Sequence, residues 1–356
     1  MTQELQKFNN YANLGLTGLS NCGNTCYLNT CLQVLSHTYE LNDILNKGDF
    51  RRHLKKTPDG VLLHEWDELR KLMWSENCVV TPKRFLRIVQ AVAASKKRHI
   101  FTGYSQNDMT EFLLFVMDCF HEGLSREVIM SVKGKAVTQK DLLAKKCYSR
   151  MIELYEKSYS ELLDVFFGIQ VWTTQIIKDG KPQEANIDNM NPEPFMSIDL
   201  WLTPQAPATT IADCISKALE PEQIEGFTDE EGNPKQRVLR FWSLPQVLML
   251  NIKRYTPQGQ KIRTPVCPNE QIDMSPYVIG YMDTKSTTLP PYQYELFAAA
   301  VHSGGSIHGG HYYAIIKNAN NKWYAFNDTN VTEFKGENTN LKMRLSEASC
   351  FFYRKK

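Results

Sequence analysis

An α+β fold is the expectation from this sequence, and two changes of pattern carry it. Up to about residue 165 the apolar residues fall at the three- and four-residue spacings of amphipathic helices; beyond it they gather into β-branched and aromatic runs set apart by Gly, Pro and Asn clusters. A third observation sets the scale. With 356 residues, 42% of them hydrophobic, the chain can form one large domain or two small ones and bury roughly three-quarters of its unfolded surface.

In chain order, the first helix is expected from Thr25, with Asn24 or Thr25 as N-cap, because Leu28, Leu32 and Leu35 share one helical face. The segments VLLHEWDELRKLMW (61–74) and SQNDMTEFLLFVMDCFHEGL (105–124) repeat that pattern. Ser105 with Asp108 resembles a capping box with Asp in place of Glu. The charged stretch around 126–146 and the acidic EPEQIEGFTDEEGNPKQ (220–236) read as solvated loops. Strands are expected in VFFGIQVWTTQII, VLRFWS, QVLMLNIKRY, YELFAAAVHS and HYYAIIK. There is no internal repeat.

Composition removes several classes of function. The 41 basic and 39 acidic residues leave a net charge of +2 with no long basic run, so neither nucleic acid nor an anionic membrane is an expected partner. No stretch reaches the ~18 apolar residues of a membrane helix, and the opening MTQELQKFNNYANLG lacks the apolar core of a secretion signal. A soluble chain of the cytoplasm, or of cytoplasm and nucleus, is expected, and a monomer is the expected state. The nine cysteines are odd in number and scattered, which suits a reducing compartment. Cys22-x3-Cys26 has no second cysteine pair to complete a zinc site, so no metal or cofactor is expected. HEWDE (64–68) lacks the second histidine of HExxH, there is no P-loop, and SGGSIHGG is not a GxSxG elbow. His37, His53, His64, His99 and His121 are isolated and read as surface or core.

What remains is the cysteine cluster NCGNTCYLNTC (21–31). Cys26 opens the expected helix, where backbone N–H groups favour a thiolate; Cys22 precedes the helix and Cys31 falls in its second turn as a small buried hydrophobe. Cys26 is therefore the candidate nucleophile, and Asn21 with the loop 21–25 offers donors for an oxyanion. In HYYAIIKNANNKWYAFND (311–328) two strand-like runs flank a turn centred on 318–321. Antiparallel pairing then sets His311 opposite Asp328 or, with a one-residue shift, Asn327. Either could accept the Nδ1–H of His311 and leave Nε2 for the thiol.

GLSNCGNTCYLNTCLQVL and VHSGGSIHGGHYYAIIKNANNKWYAFNDTNV resemble the cysteine and histidine boxes of the ubiquitin-specific proteases. QNDMTEFLLFVMD is similar to their Gln-Asp-box helix, and LPQVLMLNIKRY to their Leu-Pro-x-x-Leu…Lys-Arg-Phe strand, with Tyr255 replacing Phe. The resemblance covers 14–354, after a flank at 1–13, and implies a papain-like fold: a helical thumb (about 14–165), fingers (about 166–240) and a palm (about 241–354). It implies a thiol deubiquitinase acting on ubiquitin and ubiquitinated proteins, with Cys26 as nucleophile, His311 as base then acid, Asn327 as third member beside Asp328, and Asn21 at the oxyanion. Asp108 and Glu111 would face the basic ubiquitin tail; His302, Gly310 and Tyr312 would border its cleft. Many relatives carry two Cys-x2-Cys pairs in the fingers, but Ile176, Asp179 and the FTDE of 227–230 stand there instead, so zinc should be absent. The competing expectations are a ubiquitin-binding scaffold without turnover and a peptidase for another ubiquitin-like modifier.

Overall fold

The computed structural model describes residues 8–204, 207–281, 292–306, 309–335 and 339–356. Its first part is helical: α1 (Cys26–Ser36), α2 (Tyr39–Asn46), α3 (Phe50–His53), α4 (Pro58–Ser75), α5 (Lys83–Ser95), α6 (Met109–Leu124), α7 (Gln139–Tyr155) and α8 (Leu162–Phe166). Two short strands, β1 (Gly18–Leu19) and β2 (Val79–Val80), pair in parallel there.

The rest is mainly strand. A five-stranded sheet joins β3 (Gly168–Lys178), β4 (Lys181–Pro182), β5 (Met190–Phe195), β8 (Glu222–Thr228) and β9 (Pro234–Ser243). An eight-stranded sheet contains β6 (Ser197–Trp201), β10 (Val247–Lys253), β12 (Gln271–Asp273), β13 (Gln293–Ser306), β14 (Gly309–Lys317), β15 (Trp323–Asn327), β16 (Asn330–Glu333) and β17 (Ala348–Lys355). Its order is β16-β15-β14-β13-β17-β10-β6, antiparallel except for β10 with β6. A small parallel pair, β7 (Thr209–Thr210) with β11 (Val266–Cys267), accompanies α9 (Ile211–Ala218) and α10 (Thr339–Leu345).

The large sheet separates two cores, as strand alternation requires. Val247 and Met249 of β10 face the helical core, whereas Leu248, Leu250 and Ile252 face the core completed by Ile211 and Ile215 of α9 and Leu341 and Leu345 of α10. Helix α1 lies between α6 and strands β13 to β15. Its expected one-sided apolar stripe is therefore too narrow a reading, for all eleven of its residues are buried. The polar ones are pinned internally: Gln33 Nε2 donates to the Thr17 carbonyl at 2.7 Å and Asn29 Nδ2 to the Leu19 carbonyl at 3.2 Å.

Three local expectations are corrected. The capping box does not form at Ser105; Asp108 is itself the N-cap of α6, its carboxylate accepting the Glu111 N–H at 2.8 Å, so the helix starts later. The charged stretch 126–146 is not all loop, since a Thr138/Asp141 capping box starts α7, and Leu143, Ala144 and Cys147 pack against Ile169 and Val171 of β3. The acidic 220–236 segment is a hairpin of β8 and β9, strand-like although every residue of β8 is exposed.

Ile176 pairs with Lys235 across β3 and β9, and Asp179 begins the following turn at φ +52°. At the other tip Asp229 accepts the Asn233 N–H at 2.8 Å, and Lys178 meets Glu231 at 2.9 Å. Among the described residues no group of three or more His, Cys, Asp or Glu side chains is placed to hold a metal ion, and no helix is long and apolar enough to cross a membrane.

Candidate active site

The first residue of α1, Cys26, is buried against the start of β14, where the Tyr312 backbone N–H lies near enough to its sulfur to favour the thiolate. Tyr312 directly follows His311, so the fold brings together the two ends of the chain that carry the candidate thiol and imidazole. The Tyr27 and Cys26 backbone N–H groups at the helix start also favour the thiolate. These donors do not prevail. Burial, assisted by the nearby Asp328 carboxylate, pushes the Cys26 thiol above the ordinary cysteine range, contrary to the lowered value expected from helix position. Cys31 is buried in the core as expected, and Cys22 is half-buried.

His311 bonds Asn327 rather than Asp328. Its Nε2 lies 2.6 Å from Asn327 Oδ1, and since an amide oxygen only accepts, Nε2 carries the proton. The expected ring orientation, with Nδ1 on the acceptor and Nε2 toward the thiol, is thus reversed. The reason lies in the hairpin. The β14–β15 ladder runs Lys317↔Trp323 to Ala314↔Phe326 and stops there, one residue out of the expected register. His311 is no longer across a ladder from either candidate. Its ring reaches Asn327 through Nε2, the nitrogen farther from the backbone, so Nδ1 is the nitrogen that Asn327 does not engage.

Asp328 has a different task. It occupies the first position of the two-residue turn between Asn327 and Asn330, at φ +49°, a left-handed conformation that Asp tolerates better than most residues. From there Oδ2 accepts the Asn21 amide at 3.0 Å and Oδ1 accepts the Asn29 amide at 2.8 Å. Asn21 Oδ1 in turn receives the Gly23 N–H at 3.0 Å and the Thr25 N–H at 3.1 Å, and Thr25 Oγ1 receives the Cys22 N–H at 2.8 Å. Loop N–H groups expected to be free for an oxyanion are therefore spent on holding the loop. Thr25 is the N-cap residue, but its side chain caps no helix N–H.

The segment before α6 clamps both neighbours of His311. Gln106 Oε1 accepts the Gly310 N–H at 2.9 Å, and Asp108 Oδ2 accepts the Tyr312 hydroxyl at 3.0 Å. With Oδ1 on the Glu111 N–H, each Asp108 oxygen already has a donor, while Glu111 is exposed. His302, expected in a cleft-bordering loop, is instead a buried residue of β13 opposite Tyr312. Its Nδ1 meets the Tyr255 hydroxyl at 3.0 Å, its ring lies 4.5 Å from that of Tyr312, and burial lowers its pKa to about 4. Gly310 must be glycine, because a Cβ there would fall 2.2 Å from His302 Nε2. Residues 307–308 of the histidine box lie outside the described residues.

Gln106, Asn29 and Tyr255 were not singled out as site residues from the sequence. For Asn29 the signal was an amide inside an otherwise apolar helix; for Tyr255, a hydroxyl where the resembling family has phenylalanine.

Fold and site together define a papain-like α+β chain, with a thiol at the start of a central helix packed against the strand whose histidine is held by an amide on the next strand. The chain belongs to the ubiquitin carboxyl-terminal hydrolase family, whose model matches residues 17–353. It is similar to ubiquitin carboxyl-terminal hydrolase Usp2 of Drosophila melanogaster, 28% identical over 334 residues, covering 91% of this chain and 33% of the relative. It is also similar to human ubiquitin carboxyl-terminal hydrolase 2, 28% identical over 358 residues, covering 95% and 55%. The chain thus spans a third to about half the length of these curated relatives. Among solved structures, the SAGA Ubp8/Sgf11/Sus1/Sgf73 DUB module bound to ubiquitin aldehyde shares the fold, with a TM-score of 0.70 at 20% identity, over 97% of this chain and 70% of that one.

Proposed function

We propose that this chain is a thiol deubiquitinase that hydrolyses the isopeptide or peptide bond after the last glycine of ubiquitin. The observation that carries the reading is the joining of the α1 start to β14 and β15: Cys26 lies beneath the Tyr312 N–H while His311 is held by Asn327. In the proposed cycle the Cys26 thiol proton passes to His311 Nδ1, the sulfur bonds the glycine carbonyl carbon, and the carbonyl electron pair moves onto oxygen. The Cys26 N–H and the second N–H of the Asn21 amide receive that charge. Collapse expels the lysine amine, which takes the proton from His311; water then cleaves the thioester, releasing the ubiquitin carboxylate and the thiol. Asn327 orients the imidazole and Asp328 orients Asn21. Gly310 and Tyr312 border the passage for the tail, with the buried His302 ring packed behind Tyr312, and the exposed Glu111 faces the tail's basic residues while Asp108 holds Tyr312.

The same reading assigns the thumb to 14–165, the fingers to 166–240 with β6 joined to the palm sheet, and the palm to 241–354. Ubiquitin is the proposed partner, engaged by a monomer. Nine unpaired thiols support a cytoplasmic or nuclear setting.

The test is ubiquitin carrying a C-terminal electrophile. A covalent adduct forms with the wild-type chain and is lost in Cys26→Ala, and a fluorogenic ubiquitin conjugate is cleaved; folded wild-type protein that gives neither refutes the assignment.

A further inference from the structure

The Asp328 carboxylate is steered from inside the core, by a residue hydrogen-bonded to neither the thiol nor the imidazole. Asn29, on α1, is 2% exposed. Its amide nitrogen spans two acceptors, Asp328 Oδ1 at 2.8 Å and the Leu19 carbonyl at 3.2 Å. The assignment of nitrogen and oxygen follows from chemistry, because the flipped amide would set its oxygen against two acceptors. The amide oxygen is left buried without a partner, so a costly burial is tolerated here for the sake of the two donors.

Backbone contacts fix the turn that Asn29 grips. The Leu19 N–H donates to the Asp328 carbonyl at 2.8 Å, and β1 lies so close that a Cβ on Gly18 would fall 2.3 Å from the Thr329 carbonyl oxygen. The Asp328 main chain is thereby held at its left-handed φ of +49°. What remains is rotation of the carboxylate, and Asn29 stops it by fastening Oδ1. Oδ2 is then left aimed at Asn21, 3.0 Å away.

We propose that Asn29 is a positioning residue for acyl transfer: by fastening one oxygen of Asp328 it fixes the other against Asn21, and so sets the amide that meets the oxyanion. The role rests on the deubiquitinase reading above. It predicts a defect concentrated in the step that develops negative charge on oxygen, with ubiquitin binding untouched and any change in thiol reactivity small beside it.

The experiment is a double-mutant cycle on fluorogenic ubiquitin cleavage. Asn29→Leu, close in volume but without donors, lowers kcat ~10-fold with KM within about twofold; Asn21→Ala lowers it ~100-fold, the scale of a lost oxyanion donor. In the Asn21→Ala background Asn29→Leu has no further effect, since its route to the substrate is gone. The rate of Cys26 alkylation by iodoacetamide, which builds no oxyanion, changes less than about twofold in Asn29→Leu, far less than kcat. Asn29→Ser, which keeps one donor and relieves packing, gives an intermediate kcat and serves if the leucine variant does not fold. Gln33→Met, a comparable loss one turn along α1 that does not reach Asp328, lowers stability but not kcat. Additive losses in the cycle, a raised KM at unchanged kcat, or equal kcat losses from Gln33→Met and Asn29→Leu would overturn the proposal. Failure of the deubiquitinase reading is separable, because wild type would then give neither cleavage nor adduct.

Discussion

Two adjacent residues, Asn327 and Asp328, divide two tasks that either could perform chemically. The division is steric. Asn327 ends β15 and stays on the sheet, within reach of His311; Asp328 enters a left-handed turn that swings its carboxylate toward Asn21 and Asn29. The charged member therefore bears on the loop and the thiol rather than on the imidazole, and it adds to the burial that raises the Cys26 pKa. The expected consequence is a pH dependence. Alkylation of Cys26 by a small electrophile rises with pH and has not levelled off at the ordinary cysteine pKa of ~8.5. A rate profile from pH 6 to 10 checks this, and a plateau below neutrality would contradict the raised value.

At the scale of elements, the site depends on how α6 begins. Asp108 caps the helix through Oδ1 and binds the Tyr312 hydroxyl through Oδ2, so one side chain fixes both α6 and the strand bearing His311. Asp108→Ala is expected to lower unfolding free energy by ~1 kcal/mol, the usual worth of an N-cap, and to lower kcat as β14 loosens. Asp108→Asn keeps a capping oxygen and recovers most of the stability. Urea titrations with parallel cleavage assays separate the two effects. The helices and strands themselves were largely legible because spacing records burial: FLLFVMDCF repeats every three to four residues, and β10 shows buried residues on both faces. Errors fell where local chemistry is ambiguous. The capping box read at Ser105 does not form, whereas Thr138 and Thr210 each open a helix with one, since Ser, Thr and Asp supply the same signal at several positions and only the surrounding packing selects among them.

For the whole molecule, the two cores enclose histidines that must stay neutral. His37 and His302 each have a pKa lowered to about 4, chiefly by burial. Unfolded histidine titrates near ~6.5, so between that value and about 4 the unfolded chain binds protons that the folded chain refuses. Stability is thus intact above the unfolded pKa and declines as pH falls through this window, by at most ~3–4 kcal/mol per histidine, the upper bound for two values ~2.5 pH units apart. Urea midpoints at pH 7, 5.5 and 4.5 should fall in that order and fall less in His37→Gln. A midpoint independent of pH would refute the account.

Taken alone, the sequence determined that the chain is α+β, that Cys26 opens a helix, and that His311 and an Asn-Asp pair sit on neighbouring strands. These properties follow from residue type and periodicity, which act locally. Tertiary structure alone decided which nitrogen of His311 meets Asn327, what Asp328 grips, and that His302 is buried against Tyr255 and Gly310 rather than lining a loop. Those outcomes turn on where a ladder ends and on how closely distant backbones approach. Differences of one residue in register or an ångström in packing settle them, and no single stretch of chain encodes either.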